Sequence, residues 1–123
     1  MAPLNFILLA VRDPLKSGAL YAKLLGHQPV DTAPTFVMFV LDNGLKLGLW
    51  LTDDMQPTPK PAGGYELSFS LPTRDSVLAT YKEWTALGLK VAQQPTDMDF
   101  GFTFVLEDED GHRLRPFVPA EQR

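Results

Sequence analysis

Few side chains in this sequence have the types and spacing that catalysis or metal binding requires. The 123 residues include no cysteine, which excludes thiol catalysis, disulfides and cysteine-ligated metals. The two histidines, His27 and His112, are far apart in sequence and make a weak metal site, so we expect both to be exposed structural residues. The acidic run Glu107–Asp110 lacks EF-hand spacing and predicts a solvated turn. No phosphate-binding glycine loop or nucleophile elbow is present.

An aromatic hairpin is the clearest sign of a binding surface. The dipeptide Asn43-Gly44 separates two apolar runs, Thr35–Leu41 and Leu45–Leu51. Asn-Gly favours a two-residue hairpin turn, because both turn residues must accept positive φ. In that register, Val37 pairs with Trp50.

The predicted register gives the hairpin two different faces, since side chains alternate along a strand. One face is wholly apolar and should pack on a helix; it consists of Phe36, Met38, Val40, Leu45, Leu47, Leu49 and Leu51. The other face is aromatic but sparse; it consists of Val37, Phe39, Gly48 and Trp50. Gly48 leaves a gap beside Trp50, and a gap next to a flat aromatic ring suits a planar ligand. Alternatively, a neighbouring strand or loop fills the gap.

Two similar series of elements must position this hairpin. The first has a buried strand at 6–11, a helix from Asp13-Pro14 to Gly26, and strands near 27–32, 35–41 and 45–51. The second has a strand at 65–71, a helix capped by Thr73 or Asp75 and ending at Gly88, strands near 90–93, 102–106 and 113–118, and a hairpin turn at Asp110-Gly111. The sequence therefore predicts one α+β domain over residues 1–123, with βαβββ modules at about 3–52 and 65–119 joined by a Pro- and Gly-rich linker at about 53–64.

Composition limits the partners and the location. Hydrophobic residues make up 45% of the chain and charged residues 21%, as in an ordinary globular protein. The net charge of −4 disfavours nucleic acid as a partner. No apolar run approaches the roughly 20 residues that cross a bilayer, and no positive residue precedes the first apolar stretch. We therefore expect a cytoplasmic protein with no membrane partner.

Several motifs occur in a characteristic order: Leu9-Ala10-Val11-Arg12-Asp13, Ser17, Tyr21, Leu24-Leu25-Gly26, and the run from Glu107 to Leu114. This pattern resembles the vicinal oxygen chelate superfamily, which includes glyoxalases, bleomycin-resistance proteins and extradiol dioxygenases. The resemblance covers nearly the whole chain. It implies paired βαβββ modules that form an open, curved sheet around a pocket, usually completed within a homodimer.

The same resemblance indicates which positions would hold a metal. Enzymes of this superfamily place His or Glu ligands on the first and last strands of each module, and these positions are Phe6, Leu47 or Gly48, Glu66 and Arg115 here. Only Glu66 could bind a metal, so we predict no metal, no other cofactor, and binding rather than catalysis. The family geometry places Glu66 beside Arg115, and we expect an ion pair instead of a metal. Alternatively, both groups point to solvent at the pocket mouth.

Further stretches resemble the phenazine antibiotic-resistance proteins of this superfamily, which bind a drug without modifying it: Leu47-Gly48-Leu49-Trp50, Leu71-Pro72-Thr73, Glu83-Trp84, and Asp97-Met98-Asp99-Phe100-Gly101. In such proteins a hairpin tryptophan stacks on the planar drug, and Trp50 is the matching position. Phe100-Gly101-Phe102 could form a lid, because glycine frees the backbone there. Trp84 lies within a predicted helix and is expected in the core.

We therefore predict a cytoplasmic homodimer that sequesters a planar aromatic antibiotic. The predicted ligand-binding residues are Trp50, Phe39, Val37, Gly48, Glu66, Arg115, Phe6, Phe100 and Phe102. Two alternatives remain. The first is a metal-dependent glyoxalase-like lyase or dioxygenase, and the second is a diverged family member with no small-molecule role.

Overall fold

A computed structural model describes residues 1–123, which form two compact modules, Met1–Lys60 and Pro61–Arg123. The division between them falls in the segment predicted as a linker. Each module contains one α-helix and a four-stranded mixed sheet in the order βαβββ, so the predicted α+β class is confirmed. Neither helix has the length and hydropathy that crossing a membrane requires.

The first module begins with a strand and a helix whose ends are set by local capping. Its elements are β1 (Phe6–Val11), α1 (Pro14–Leu25), β2 (Asp31–Ala33), β3 (Phe36–Val40) and β4 (Lys46–Leu51), with the sheet order β1-β4-β3-β2. The Asp13 carboxylate accepts a hydrogen bond from the Lys16 amide at 3.2 Å, and Pro14 occupies the first helical position. Gly26 ends the helix with φ of 66°. The predicted bounds of α1 are confirmed.

Helix α1 packs closely on one face of the first sheet. Val37 and Phe39 on β3 are almost completely buried on this face. A Cβ added at Gly18 would lie 3.0 Å from Val37 Cγ1, so the glycine allows the helix to approach the strand. This face forms the core of the module with Leu9, Val11, Tyr21, Leu47 and Leu49.

The second module repeats the topology of the first. Its elements are β5 (Glu66–Ser70), α2 (Arg74–Thr85), β6 (Lys90–Met98), β7 (Gly101–Glu107) and β8 (Arg113–Pro119), with the sheet order β5-β8-β7-β6. Thr73 and Ser76 cap α2 reciprocally, as a capping box does. The helix ends three residues before Gly88, because the Gly88 amide donates to the Thr85 carbonyl at 3.1 Å and closes a turn. Strand β6 continues beyond the predicted 90–93 through two register shifts.

Aromatic side chains fill the core between α2 and its sheet. The Trp84 ring is 5% exposed and meets the Phe69 and Phe104 rings edge-on, at centroid distances of 5.1 and 6.4 Å. Tyr81 meets Phe104 edge-on from the same helix, at 5.1 Å. Such tilted pairs are favourable geometries for aromatic rings. The expectation that Trp84 belongs to the core is confirmed.

Both predicted two-residue hairpin turns are three-residue loops. The Leu41 amide donates to the Leu45 carbonyl at 2.8 Å, and the Asp108 amide donates to the His112 carbonyl at 3.0 Å. Each loop ends in a glycine with φ of 87°, Gly44 or Gly111, and no other residue type has positive φ. A two-residue Asn-Gly turn would need positive φ at both positions, so the chain uses the three-residue loop with a left-handed glycine.

Candidate functional site

The three-residue loop changes the register of the first hairpin by one residue. Phe36 pairs with Trp50, and Met38 pairs with Gly48. A shift of one residue turns every side chain to the opposite face of the sheet. The predicted pairing of Val37 with Trp50 is therefore wrong: Val37 and Phe39 face α1 on the other side of the sheet.

An apolar sheet face surrounds Trp50 in this register. Strand β1 runs parallel to β4 and pairs Leu8 with Gly48. The surface, named here the Trp50 face, consists of Phe6, Leu8, Phe36, Met38, Gly48 and Trp50. Phe6 and Leu8 are 38% and 43% exposed, and Trp50 is partly exposed. Exposed apolar area of this kind marks a surface that a ligand or partner can cover favourably.

Gly48 does not leave the predicted gap beside Trp50. A Cβ added at Gly48 would lie 2.8 Å from both Leu8 Cδ2 and Phe36 Cζ. The side chains of Leu8 and Phe36 therefore lean over the glycine and close the space, so the alternative of filling by a neighbouring strand is confirmed. The space beside Trp50 is therefore occupied by apolar side chains and is not a hollow.

Lys46 lies at one end of the Trp50 face. It pairs with Phe6 across β1 and β4, and its Nζ is 5.8 Å from the centre of the Phe6 ring. A cation near a ring face is attracted by the ring quadrupole. Phe6, which was predicted to bind ligand, is thus on the same face as Trp50.

A charged cluster lies on the sheet of the second module. Arg115 Nε donates to Glu66 Oε1 at 2.7 Å, and Arg115 Nη2 donates to Glu66 Oε2 at 3.1 Å. The predicted Glu66–Arg115 ion pair is confirmed, and its fork geometry is the strong form of this interaction. Arg113 adds a second contact, with its Nη2 2.8 Å from Glu66 Oε2. The hydrogen bond from Arg115 is the main reason that the pKa of Glu66 lies below its ordinary value.

This ion pair predicts how stability depends on pH. A carboxyl group with a lowered pKa stabilises the fold above its ordinary pKa of 4.5, and the contribution is lost as the pH falls through the lowered folded-state value. We expect wild-type protein to resist urea better than Glu66→Gln at pH 7, with the difference shrinking at pH 3. The urea midpoints of both proteins at pH 7 and at pH 3 measure this difference in stability. The pKa of Asp97 is also lowered, chiefly by hydrogen bonding from Arg74, but Asp97 is present in both proteins and cancels in the comparison. A difference that persists unchanged at pH 3 would contradict this role of the Glu66 charge.

The segment predicted as a lid is part of the folded sheet. Phe100 is 45% exposed in the turn before β7, and its ring meets the Phe117 ring at 5.9 Å. Gly101 begins β7, and a Cβ there would lie only 2.0 Å from the Val118 carbonyl oxygen. Phe102 is 4% exposed, and the Arg74 guanidinium carbon is 3.9 Å from the centre of its ring. The lid prediction is therefore wrong, and Phe102 is a core residue rather than a wall of a site.

His112 is buried, contrary to the prediction of an exposed residue. It is 4% exposed, and its Nδ1 shares a hydrogen bond with the Tyr65 hydroxyl. The His112 amide donates to Asp108 Oδ1 at 2.9 Å. Burial, with a smaller effect of the Asp108 charge, raises the pKa of Tyr65 to about 12. His27, by contrast, is partly exposed, with Nε2 3.5 Å from Asp42 Oδ1. These contacts explain both histidines as structural residues.

Comparison with known proteins assigns the family. The family model described as the Glyoxalase/Bleomycin resistance protein/Dioxygenase superfamily matches residues 4–115. The chain belongs to this superfamily. The resemblance inferred from the sequence motifs is confirmed.

Three individual proteins are similar to this chain over nearly its full length. The phenazine antibiotic resistance protein EhpR of Enterobacter agglomerans is 27% identical over 114 residues, which cover 90% of this chain and 88% of that protein. The solution structure of protein ATC0852 from Agrobacterium tumefaciens is 42% identical, with a TM-score of 0.91 over 98% of this chain and 99% of the other. A glyoxalase-related enzyme from Fulvimarina pelagi shares the fold, with 20% identity and a TM-score of 0.84 over 96% of this chain and 88% of the other.

The residues at the superfamily's metal-ligand positions do not fit a divalent ion. Phe6, Leu47 and Gly48 offer no ligating side chain. Glu66 does carry a carboxylate, but both of its oxygens accept from guanidinium groups. No group of three or more His, Cys, Asp or Glu side chains is arranged to hold a metal. A hard cation needs several oxygen ligands, and a guanidinium beside the one carboxylate would repel it.

Sequence reasoning missed three members of the Trp50 face and one member of the charged cluster. Leu8, Phe36 and Met38 were missed because of the wrong register. Alternation along β1 already places Leu8 on the face of Phe6, and that signal could have found it. Alternation along β8 likewise places Arg113 on the face of Arg115, although only Arg115 was singled out.

Proposed function

We propose that this protein binds a planar aromatic small molecule on the Trp50 face, without a metal ion, and that it confers resistance by sequestering an antibiotic of that shape. The observation that carries the proposal is the partly exposed Trp50 ring on a sheet face that is apolar over three neighbouring strands. The similarity to a phenazine antibiotic resistance protein supports a role in drug resistance in general. The side chains at the superfamily's metal-ligand positions do not fit a divalent ion, and this favours binding over metal-assisted chemistry.

The Trp50 face has the physical properties that such binding needs. A flat ring that covers apolar surface gains roughly 25 cal/mol for each Å² removed from water. Stacking on an indole adds about 1 kcal/mol. The side chains of Leu8 and Phe36 cover Gly48 and add apolar surface beside Trp50, so a polycyclic ligand would contact more than Trp50 alone.

Other parts of the sequence-based account stay predictions. Glu66, Arg115 and Phe100 remain predicted ligand contacts in the second module. The homodimer and the cytoplasmic location also stay predictions. Sedimentation equilibrium would test the first of these, since a homodimer has twice the 13.7 kDa mass of the chain.

Titration of the protein with phenazine tests the proposed function. We expect saturable quenching of tryptophan fluorescence with a dissociation constant in the micromolar range, equal before and after dialysis against a chelator. Phenazine recovered by chromatography should be chemically unchanged. Binding that requires an added divalent ion, or conversion of the phenazine, would favour the metal-dependent enzyme instead.

A further inference from the structure

Strand β4, an inner strand of the first sheet, carries a cation and an indole on the same side. Lys46, Gly48 and Trp50 alternate along the strand, so all three side chains belong to the side that bears the Trp50 face. Lys46 and Trp50 are about 13 Å apart along the strand, since a strand rises about 3.3 Å per residue. An elongated ligand that stacks on Trp50 and lies along β4 would therefore extend toward the Lys46 side chain.

The ammonium group of Lys46 lies beside apolar neighbours. Its Nζ is 5.8 Å from the centre of the Phe6 ring on one side, and its partner on the other side is Val40 of β3. The Lys46 side chain is partly buried, and it takes part in no ion pair. The contact with Phe6 holds the cation near the Trp50 face, but it leaves the positive charge without a counter-charge.

The two acidic residues nearest in the strand register do not supply that counter-charge. Asp42, in the loop between β3 and β4, directs Oδ1 to within 3.5 Å of Nε2 of His27, which follows helix α1. Asp31 shares the side of the Trp50 face, as the partner of Met38, but it lies on the edge strand β2. Strand β3 separates β2 from β4, so Asp31 is about 10 Å from Lys46 across the sheet.

We propose that the planar ligand of the Trp50 face is an aromatic acid, which stacks on Trp50 and directs its anionic substituent along β4 to Lys46. This inference rests on the proposed function, because it names the ligand class of the same face. A contact between an ammonium group and a carboxylate is stronger than one between neutral groups. A ring system that covers the apolar surface also excludes water around the contact, which strengthens the attraction. Lys46 is then a specificity-determining residue that selects acids over neutral molecules of the same shape.

Two probes of the same shape but different charge test this role. The probes are phenazine-2-carboxylate and its neutral amide, phenazine-2-carboxamide, each titrated calorimetrically into the full-length protein at pH 7. We expect the wild type to bind the carboxylate about tenfold more tightly than the amide. Lys46→Gln should bind both probes with the affinity that the wild type has for the amide, whereas Lys46→Arg should keep most of the preference.

Lys23→Gln is the matched control. It removes the same charge from an exposed position in the last turn of α1, the helix that packs on the opposite side of the sheet, and it should keep the tenfold preference. Equal binding of the two probes by the wild type would overturn the proposal. A preference that survives in Lys46→Gln, or one that Lys23→Gln also loses, would overturn it as well.

Salt dependence provides a test that needs no variant and stays decisive if Lys46→Gln does not fold. Raising the salt concentration to about 0.5 M should reduce the wild-type preference several-fold and leave binding of the amide unchanged, because salt screens partly exposed charges. A preference that is insensitive to salt would contradict the role of the Lys46 charge. Failure of this inference and failure of the proposed function are distinguishable: equal binding of both probes refutes the inference alone, whereas no binding of either probe refutes both.

Discussion

Replacing Trp50 with alanine is expected to weaken phenazine binding about 30-fold. The substitution removes the stacking contribution of about 1 kcal/mol, together with a further 1 kcal/mol or so of apolar contact, and about 2 kcal/mol corresponds to that ratio. Trp50→Phe keeps a smaller aromatic surface and should weaken binding only a few-fold. The affinity for phenazine should therefore fall in the order Trp, Phe, Ala at position 50, because the ring area available to the ligand falls in that order.

Calorimetry is the suitable measurement, because Trp50→Ala also removes one of the two fluorescent tryptophans. Leu15→Ala provides a matched control in the same module. Leu15 is 46% exposed on α1 and lines a cleft of about 210 Å³ on the opposite side of the sheet, together with Gly18, Ala22, Pro29 and Val37. This control should bind phenazine as the wild type does. If Leu15→Ala weakened binding while Trp50→Ala did not, the ligand would belong in that cleft and the Trp50 face would lose its role.

Replacing Gly101 with alanine is expected to cost about 3 kcal/mol of stability. The added Cβ would lie 2.0 Å from the Val118 carbonyl oxygen and 3.2 Å from the Ala120 amide nitrogen. Both contacts are to backbone, so no flexible side chain can move aside, and strands β7 and β8 must separate locally. Overpacking that forces a backbone shift typically costs about 1–3 kcal/mol, and we expect the upper end here because the crowded atoms belong to the backbone.

Urea unfolding monitored by circular dichroism measures this cost. Gly64→Ala is the matched control, because a Cβ at Gly64 meets nothing within 4 Å. That variant should be as stable as the wild type, or slightly more stable through reduced freedom of the unfolded chain. A Gly101→Ala protein with an unchanged urea midpoint would show that β7 and β8 do not approach each other as described.

The helix boundaries of the first module could be predicted because their causes are local. Asp13, Pro14 and Gly26 act through hydrogen bonds and dihedral angles within a few residues of each helix end. The end of α2 was placed three residues late, because Gly88 closes a turn that follows the helix instead of capping it directly. Local sequence signals thus predict where a helix lies, but the predicted terminal residue can be wrong by a few positions.

The register of the hairpin could not be settled from Asn43-Gly44. This dipeptide fits a two-residue turn. It also fits the last two positions of a three-residue loop in which Gly44 alone has positive φ. Both runs beside it are apolar on both faces, so alternation did not favour either register. Packing against α1 decides between the two registers, because Val37 must contact Gly18. That contact is tertiary, so the hairpin sequence alone does not show it.

The charged cluster was only partly accessible from the sequence. The pairing of Glu66 with Arg115 was expected from family geometry, not from any local pattern. The contact of Arg113 with the same carboxylate depends on how Glu66 is shared between two side chains, and only the structure shows this. His112 was placed on the surface because a histidine after a turn is usually exposed, whereas the Tyr65 hydroxyl partners it in the interior.

Methyl NMR of the phenazine-bound protein tests the central claim most directly. Met38 lies on the Trp50 face as the partner of Gly48, and it is one of four methionines whose methyl groups can be labelled together. We predict that the Met38 methyl signal and the Trp50 indole N–H signal shift by ring currents and saturate with the same dissociation constant, while the buried Trp84 indole changes little. Saturable phenazine binding that leaves Met38 and Trp50 unshifted would contradict the account.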